Sequence, residues 1–182
     1  MRGLGWVSLL PIAAMLASCG SDPMSSEAVL GEAAGLEKPL AGLYLTETEL
    51  VSFEVPGLPP EEADRFRTQM GGLAASPQES CVTQEQADKG FEDLLKTIGE
   101  GVNGLTCGFE EFATSPPQVD AVLVCEGAAA MKAEIAFAGT ADAVSMDMTM
   151  DMEASSPLIP GQSMEMAFAV SAERIGDCAP GL

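Results

Sequence analysis

Apolar and polar residues alternate with a period of two through Met146-Asp147-Met148-Thr149-Met150-Asp151-Met152, and again where Met164, Met166, Phe168 and Val170 enclose Glu165. Each run predicts a strand with one apolar and one polar face. Residues 105–112 and 119–126 flank Ser115-Pro116-Pro117-Gln118, a hairpin connection, and residues 131–139 continue the alternation. Upstream, Tyr44, Thr46, Thr48 and Leu50 share one face of a strand over 42–55, while Val51, Phe53 and Val55 share the other. The apolar face therefore switches near Leu50-Val51, which predicts a bulge. Two stretches change to helical spacing. Pro60, Glu61, Glu62 and Asp64 open a short helix, with Ala63, Phe66 and Met70 on one side and Gly71-Gly72 at its end. Thr83 with Gln86 is a capping-box pattern, followed by the stripe Phe91, Leu94, Leu95 and Ile98, and Gly99 closes that helix. Short connections between successive strands imply an antiparallel meander. The expected fold is α+β and mainly β: a curved antiparallel sheet of about five to six strands with two amphipathic helices packed on it.

The first forty residues lack this patterning. Arg2 precedes a mostly apolar run from Leu4 to Leu16, shorter than the ~20 residues of a membrane span. The run ends in Leu16-Ala17-Ser18-Cys19 and resembles a bacterial lipobox. That resemblance implies cleavage after residue 18 and acylation of Cys19, whose two to three chains suffice for a stable anchor. Gly20 after the cysteine, by similarity to enteric lipoproteins, favours outer-membrane over inner-membrane sorting. Residues 19–40 are small, polar and rich in Gly, Ser and Pro, and read as a lipidated Cys19 with a flexible tether. The division is then 1–18 leader, 19–40 anchor and tether, and 41–182 one β-rich domain.

Charge narrows the partners. The 182 residues hold 28 acidic and 8 basic side chains and no histidine, for a net charge of −20. There is no basic cluster, so the surface repels phosphate backbones and nucleic acid is not an expected partner. The membrane, through the lipid anchor, is the expected one.

Besides Cys19 there are four cysteines, an even number, in a chain that reads as exported. Two disulfides are expected, and four cysteines allow three connectivities. A hairpin turn near Pro116 sets Cys107 opposite Cys125 and leaves Cys81 for Cys178. No Cys-x-x-Cys is present, so no thioredoxin-like motif exists.

Candidate chemistry is sparse. Without histidine there is no Ser–His or Cys–His nucleophile and little basis for zinc. Carboxylate pairs such as Glu61/Glu62, Glu110/Glu111 and Asp147/Asp151 arise by chance in so acidic a chain, and no glycine-rich phosphate loop is present. No catalytic residue and no cofactor is assigned, and the chain does not read as an enzyme. The methionines are the sharper possibility. A hairpin pivoting near Pro157 sets Met150 against Met164, Met148 against Met166 and Met146 against Phe168. The thioethers of Met148, Met150, Met164 and Met166 would then form a soft-ligand patch suited to Cu(I). The plainer reading is that methionine fills an irregular core. A third is that a flexible apolar face beneath a helical lid holds a lipid or other apolar ligand. The leading expectation is a periplasm-facing, non-catalytic binding or envelope-associated lipoprotein, with Cu(I) binding or apolar-ligand carriage as alternatives.

A family resemblance covers about residues 38–178. It rests on Lys38-Pro39-Leu40-Ala41-Gly42-Leu43-Tyr44, Pro56-Gly57-Leu58-Pro59-Pro60, Cys81-Val82-Thr83 with Gln86-Ala87, Val124-Cys125-Glu126-Gly127, the Met-Asp-Met-Thr-Met run and Arg174-Ile175-Gly176-Asp177-Cys178. In that order these segments are similar to the domain of unknown function 3617 family of small exported proteins and lipoproteins of Gram-negative bacteria. Ala41 departs from the usual Lys-Pro-Gly-aromatic start. The resemblance implies the domain extent and an exported setting, and no activity.

Overall fold

A computed structural model describes residues 23–74, 76–100 and 104–179. The predicted leader and Cys19 lie outside the described residues. Seven strands form one antiparallel sheet: β1 (Gly42–Glu54), β2 (Gln78–Val82), β3 (Leu105–Ser115), β4 (Gln118–Gly127), β5 (Lys132–Ala141), β6 (Ser145–Ser155) and β7 (Ser163–Gly176). Their spatial order is β2-β1-β7-β6-β5-β4-β3, so β3 to β7 form the expected meander and β1 returns to pair with β7. The strand beyond the expected six is β2. Its sequence, Gln-Glu-Ser-Cys-Val, has no apolar alternation because it is a short edge strand whose first residues are exposed.

Three register shifts occur among the described strands: one leaves Ile175 of β7 as the extra residue between the Leu43 and Tyr44 pairings, and the other two have a visible cause. In β1, Leu50 pairs with Phe168 and Ser52 with Ala167, so Val51 is the extra residue, 63% exposed. Skipping it returns Phe53 to the face of Leu50, as the switch in alternation predicts. In β3 the register shifts between Phe109 and Glu111. The turn leaves Ser115 opposite Gln118, which without a bulge would set Cys107 against Glu126. The extra residue sets Cys107 against Cys125 and puts Phe109 and Phe112 on one face, their rings edge-to-face at 5.5 Å. The disulfides join Cys107 to Cys125, across this hairpin, and Cys81 to Cys178, with Cα atoms 5.6 Å apart. The second ties edge strand β2 to the segment after β7.

Among the described residues there are four α-helices where two were expected. The helix α1 (Ser26–Ala33) forms within the stretch expected as tether. Ser25 caps it by accepting from the Ala28 N–H, and Val29, Ala33 and Leu36 are buried against Phe109, Phe112 and Leu95. Met24 donates to the Phe109 carbonyl, so the chain is docked on β3 from there onward. The helix α2 (Pro60–Ala74) starts at Pro60 as expected but runs through Gly71-Gly72. The second expected helix divides into α3 (Gln84–Lys89), with the predicted Thr83–Gln86 capping box, and α4 (Glu92–Glu100). The break is at Gly90, whose φ of +64° suits glycine and ends a helix.

The turns are held by polar contacts. Asp142 accepts from the Val144 and Ser145 N–H groups, both at 2.8 Å, and these bonds hold its carboxyl below the usual range. The Tyr44 hydroxyl lies 2.8 Å from the Leu40 carbonyl oxygen and 3.0 Å from that of Ala143, linking β1 to the β5–β6 turn. Burial raises the Tyr44 pKa, against an opposing pull from Arg174.

By strand alternation α1, α2 and α4 sit on one face. The other face is polar, and on it Glu134, Glu153, Glu165 and Glu54 stand directly opposite one another across β5, β6, β7 and β1. Neighbouring strands are ~4.8 Å apart, and like charges so placed repel. Two outcomes follow from this architecture. Val29→Ala should lower unfolding free energy by about 2 kcal/mol in urea denaturation, since Val29 is 2% exposed; a tether residue would change nothing. Glu153→Gln should raise the thermal midpoint, and the gain should shrink between low salt and 0.15 M NaCl. A destabilised or salt-indifferent variant would show that the glutamate row is not under strain.

Candidate functional site

The helix-covered face is built in cross-strand rows. One row reads Leu50, Phe168, Met150, Phe137, Ala121 and Phe112 from β1 to β3. The next toward the β6–β7 loop reads Phe53, Met166, Met152, Ile135, Leu123 and Phe109. On the other side of the first lie Thr48, Val170, Met148, Gly139 and Val119. The helices cover the two ends of these rows. On β3 and β4, α1 and α4 seal a core containing Phe109, Phe112, Leu123 and Leu95. On β1 and β7, α2 covers a smaller core of Phe53, Met166 and Phe168; Phe66 stacks on Phe53 at 6.5 Å, and Met70 packs beside it. Between the two covers Met146, Met148 and Met150 remain half-buried.

Their face opens into a cleft of about 210 Å³. Phe91 with Leu94, Leu95 and Ile98 of α4 forms one wall, and Phe137, Met146, Met148 and Met150 form the floor. Every lining residue is apolar. Leu94 is 52% exposed at the rim, the position of a gate rather than a core residue. A larger volume of about 680 Å³ adjoins it, sharing Met148 and Val170 and bounded by Thr48, Leu50, Arg67 and Gly71 on the α2 side. Glycine shapes the floor: a Cβ at Gly139 would come within 2.8 Å of the Met148 sulfur and 2.0 Å of the Asp147 carbonyl oxygen. The thioether thus lies over the bare backbone of β5.

The methionine register differs from expectation. Met150 faces Phe168, Met148 faces Val170, Met152 faces Met166 and Ala154 faces Met164, so the hairpin pivots at Ile159. The four side chains keep one face but do not converge. Met148 and Met164 sit six residues apart in the frame of β7, roughly 20 Å by strand rise. Met148, Met150, Met164 and Met166 cannot together hold one Cu(I) ion. Among the described residues no group of three or more His, Cys, Asp or Glu could hold a metal ion. Glu61, Glu62, Glu110, Glu111, Asp147 and Asp151 are exposed, and none lines the apolar cleft. No described helix is long and apolar enough to cross a membrane.

The α4 wall follows from the Phe91–Ile98 stripe in the sequence. The separation of α4 from α2 follows from no local pattern, and it is what leaves the methionines uncovered. Gly139→Ala should cost about 1–3 kcal/mol in chemical denaturation by pushing Met148 and the β6 backbone aside. A neutral substitution would show that the sulfur does not rest there.

A family model described as "Protein of unknown function (DUF3617)" matches residues 38–178. No curated protein and no solved structure matches the chain.

Proposed function

Since the chain belongs to the DUF3617 family, which brings no activity with it, we propose that it is a lipid-anchored, periplasm-facing, non-catalytic module that carries an apolar ligand in the α4–sheet cleft. The observation that carries this reading is the wholly apolar lining of a cleft that the helices leave open. A folded domain that merely filled its core would seal such a face, because exposed apolar area is lost stabilisation, ~25 cal/mol per Å². Methionine suits the role: an unbranched thioether re-packs around guests of different shape at little cost. The rows Met150–Phe137 and Met148–Gly139 give the floor one bulky and one shallow position side by side.

The anchor reading rests on Leu16-Ala17-Ser18-Cys19. An acylated Cys19 would hold the cleft beside a reservoir of apolar molecules. Outer-membrane sorting is supported by Gly20 alone.

Titration with the uncharged fluorescent probe N-phenyl-1-naphthylamine should give saturable binding. Leu94→Arg, a change at an exposed rim position, should weaken it at least tenfold without lowering the thermal midpoint. Non-saturable fluorescence, or a Leu94→Arg protein that binds normally, would reject the carrier reading. Intact mass measurement of the membrane fraction should find acyl chains on the wild type and none on Cys19→Ala; an unacylated wild type would remove the anchor.

A further inference from the structure

The two volumes on the helix side differ in kind, and the difference names a ligand class. The 210 Å³ cleft under α4 offers only carbon and sulfur. The 680 Å³ volume beside α2 has a cation on its wall, Arg67, and the two meet at Met148 and Val170. Glu47, Glu49 and Asp147 also border the larger volume as residues, and it is their carboxylates whose direction matters. Strand alternation sends them to the opposite face, since Thr48, Leu50 and Met148 face the helices. Arg67 is therefore the charged side chain presented to this space, and it belongs to α2, which covers it. Its guanidinium is positioned by the backbone: Nη2 donates to the Phe53 carbonyl oxygen at 3.2 Å. Its other recorded partner is Asp64, at 2.7 Å from Nη1. That pair is 51% and 71% exposed, and an exposed pair between residues three apart on one helix contributes little. A guest carboxylate can displace Asp64 or share the five-donor fork with it.

We propose that the guest is a single-chain anionic amphiphile, a fatty-acid-like molecule with its chain in the α4 cleft and its head at Arg67. This inference rests on the carrier reading and assigns the second half of the same site. A ligand of this kind meets a wall free of polar groups along its chain and one fixed cation at its end. The protein's net charge of −20 attracts cations overall, so a preference for an anionic head has to come from a local group.

The test is displacement of N-phenyl-1-naphthylamine by decanoate, decanol and decyltrimethylammonium, each below its micellar concentration, in 0.15 M NaCl, where screening over ~8 Å suppresses the global field. Decanoate should displace the probe at about tenfold lower concentration than decanol, with decyltrimethylammonium the weakest. Arg67→Gln should bring decanoate to the level of decanol while probe and decanol affinities stay unchanged, and Arg67→Lys should retain part of the preference. Equal displacement by decanoate and decanol in the wild type, or a decanoate preference that survives Arg67→Gln, would overturn the head-group assignment and leave the apolar cleft standing. Loss of all probe binding in a folded Arg67→Gln protein would also overturn it, since a head-group contact cannot carry the uncharged probe. Failure of the wild type to bind the probe saturably would overturn both readings.

Discussion

Unbroken register across β5, β6 and β7 is the constraint on which the rest depends. No bulge interrupts either pairing of β6. The apolar side chains of three long strands therefore fall in straight rows on one face, with carboxylates, alanine and threonine on the other. A one-residue slip at β6 would turn Met148 and Met150 to solvent and bring Asp147 and Asp151 beneath the helices. Away from β6, Ile175 of β7 is an extra residue at the end of the β1 pairing, and two larger irregularities lie at Val51 in β1 and between Phe109 and Glu111 in β3. Both turn a strand so that its large apolar residues rejoin the central rows. The helices then have an apolar surface to land on, and α2 and α4 land at opposite ends of it.

Much of this was legible because strands with one covered face write their period into the sequence. The β6 and β7 alternations are plain, and the bulge at Val51 could be read from Leu50 and Phe53 being apolar three residues apart. The Cys107–Cys125 pairing followed from an assumed turn centre at Pro116. The structure reaches the same pair with a turn half a residue later and a compensating bulge, so one small error in the reading offset another. What stayed hidden has physical reasons. The strand β2 is short, polar and at an edge. Val29 and Ala33 of α1 and Leu36 just beyond it have proper helical spacing, yet Ala28, Leu30 and Ala34 around them blur the contrast. The Met pairings were misplaced because the β6–β7 connection pivots two residues beyond Pro157. The cleft was the least legible, because it is set by how far apart two helices come to rest.

The two faces of the sheet solve different problems with the same strands. On one side adaptable side chains are left partly uncovered between a larger core under α1 and α4 and a smaller one under α2. On the other, a row of four glutamates opposes stacking of one sheet on another, since a second such face would bring eight like charges together. That arrangement gives up some native stability for solubility. The two disulfides pin the two edges of the sheet, Cys81–Cys178 at β2 and Cys107–Cys125 at β3, the latter within the larger core.

If Cys19 is acylated as proposed, the docking of Met24 on β3 has a consequence for how the molecule is moored. Five residues of chain lead from Cys19 to Met24, and a fully extended chain covers at most ~3.6 Å per residue, about 18 Å in all. Had residues 20–40 been free, the reach would have been several times longer and the domain could have tumbled. With α1 folded onto the sheet, an acyl group on Cys19 would moor the molecule by its β3 edge, on a leash shorter than the sheet is wide. Pivoting would replace free tumbling, and which rim of the protein sweeps the lipid surface would be decided by where a helix begins.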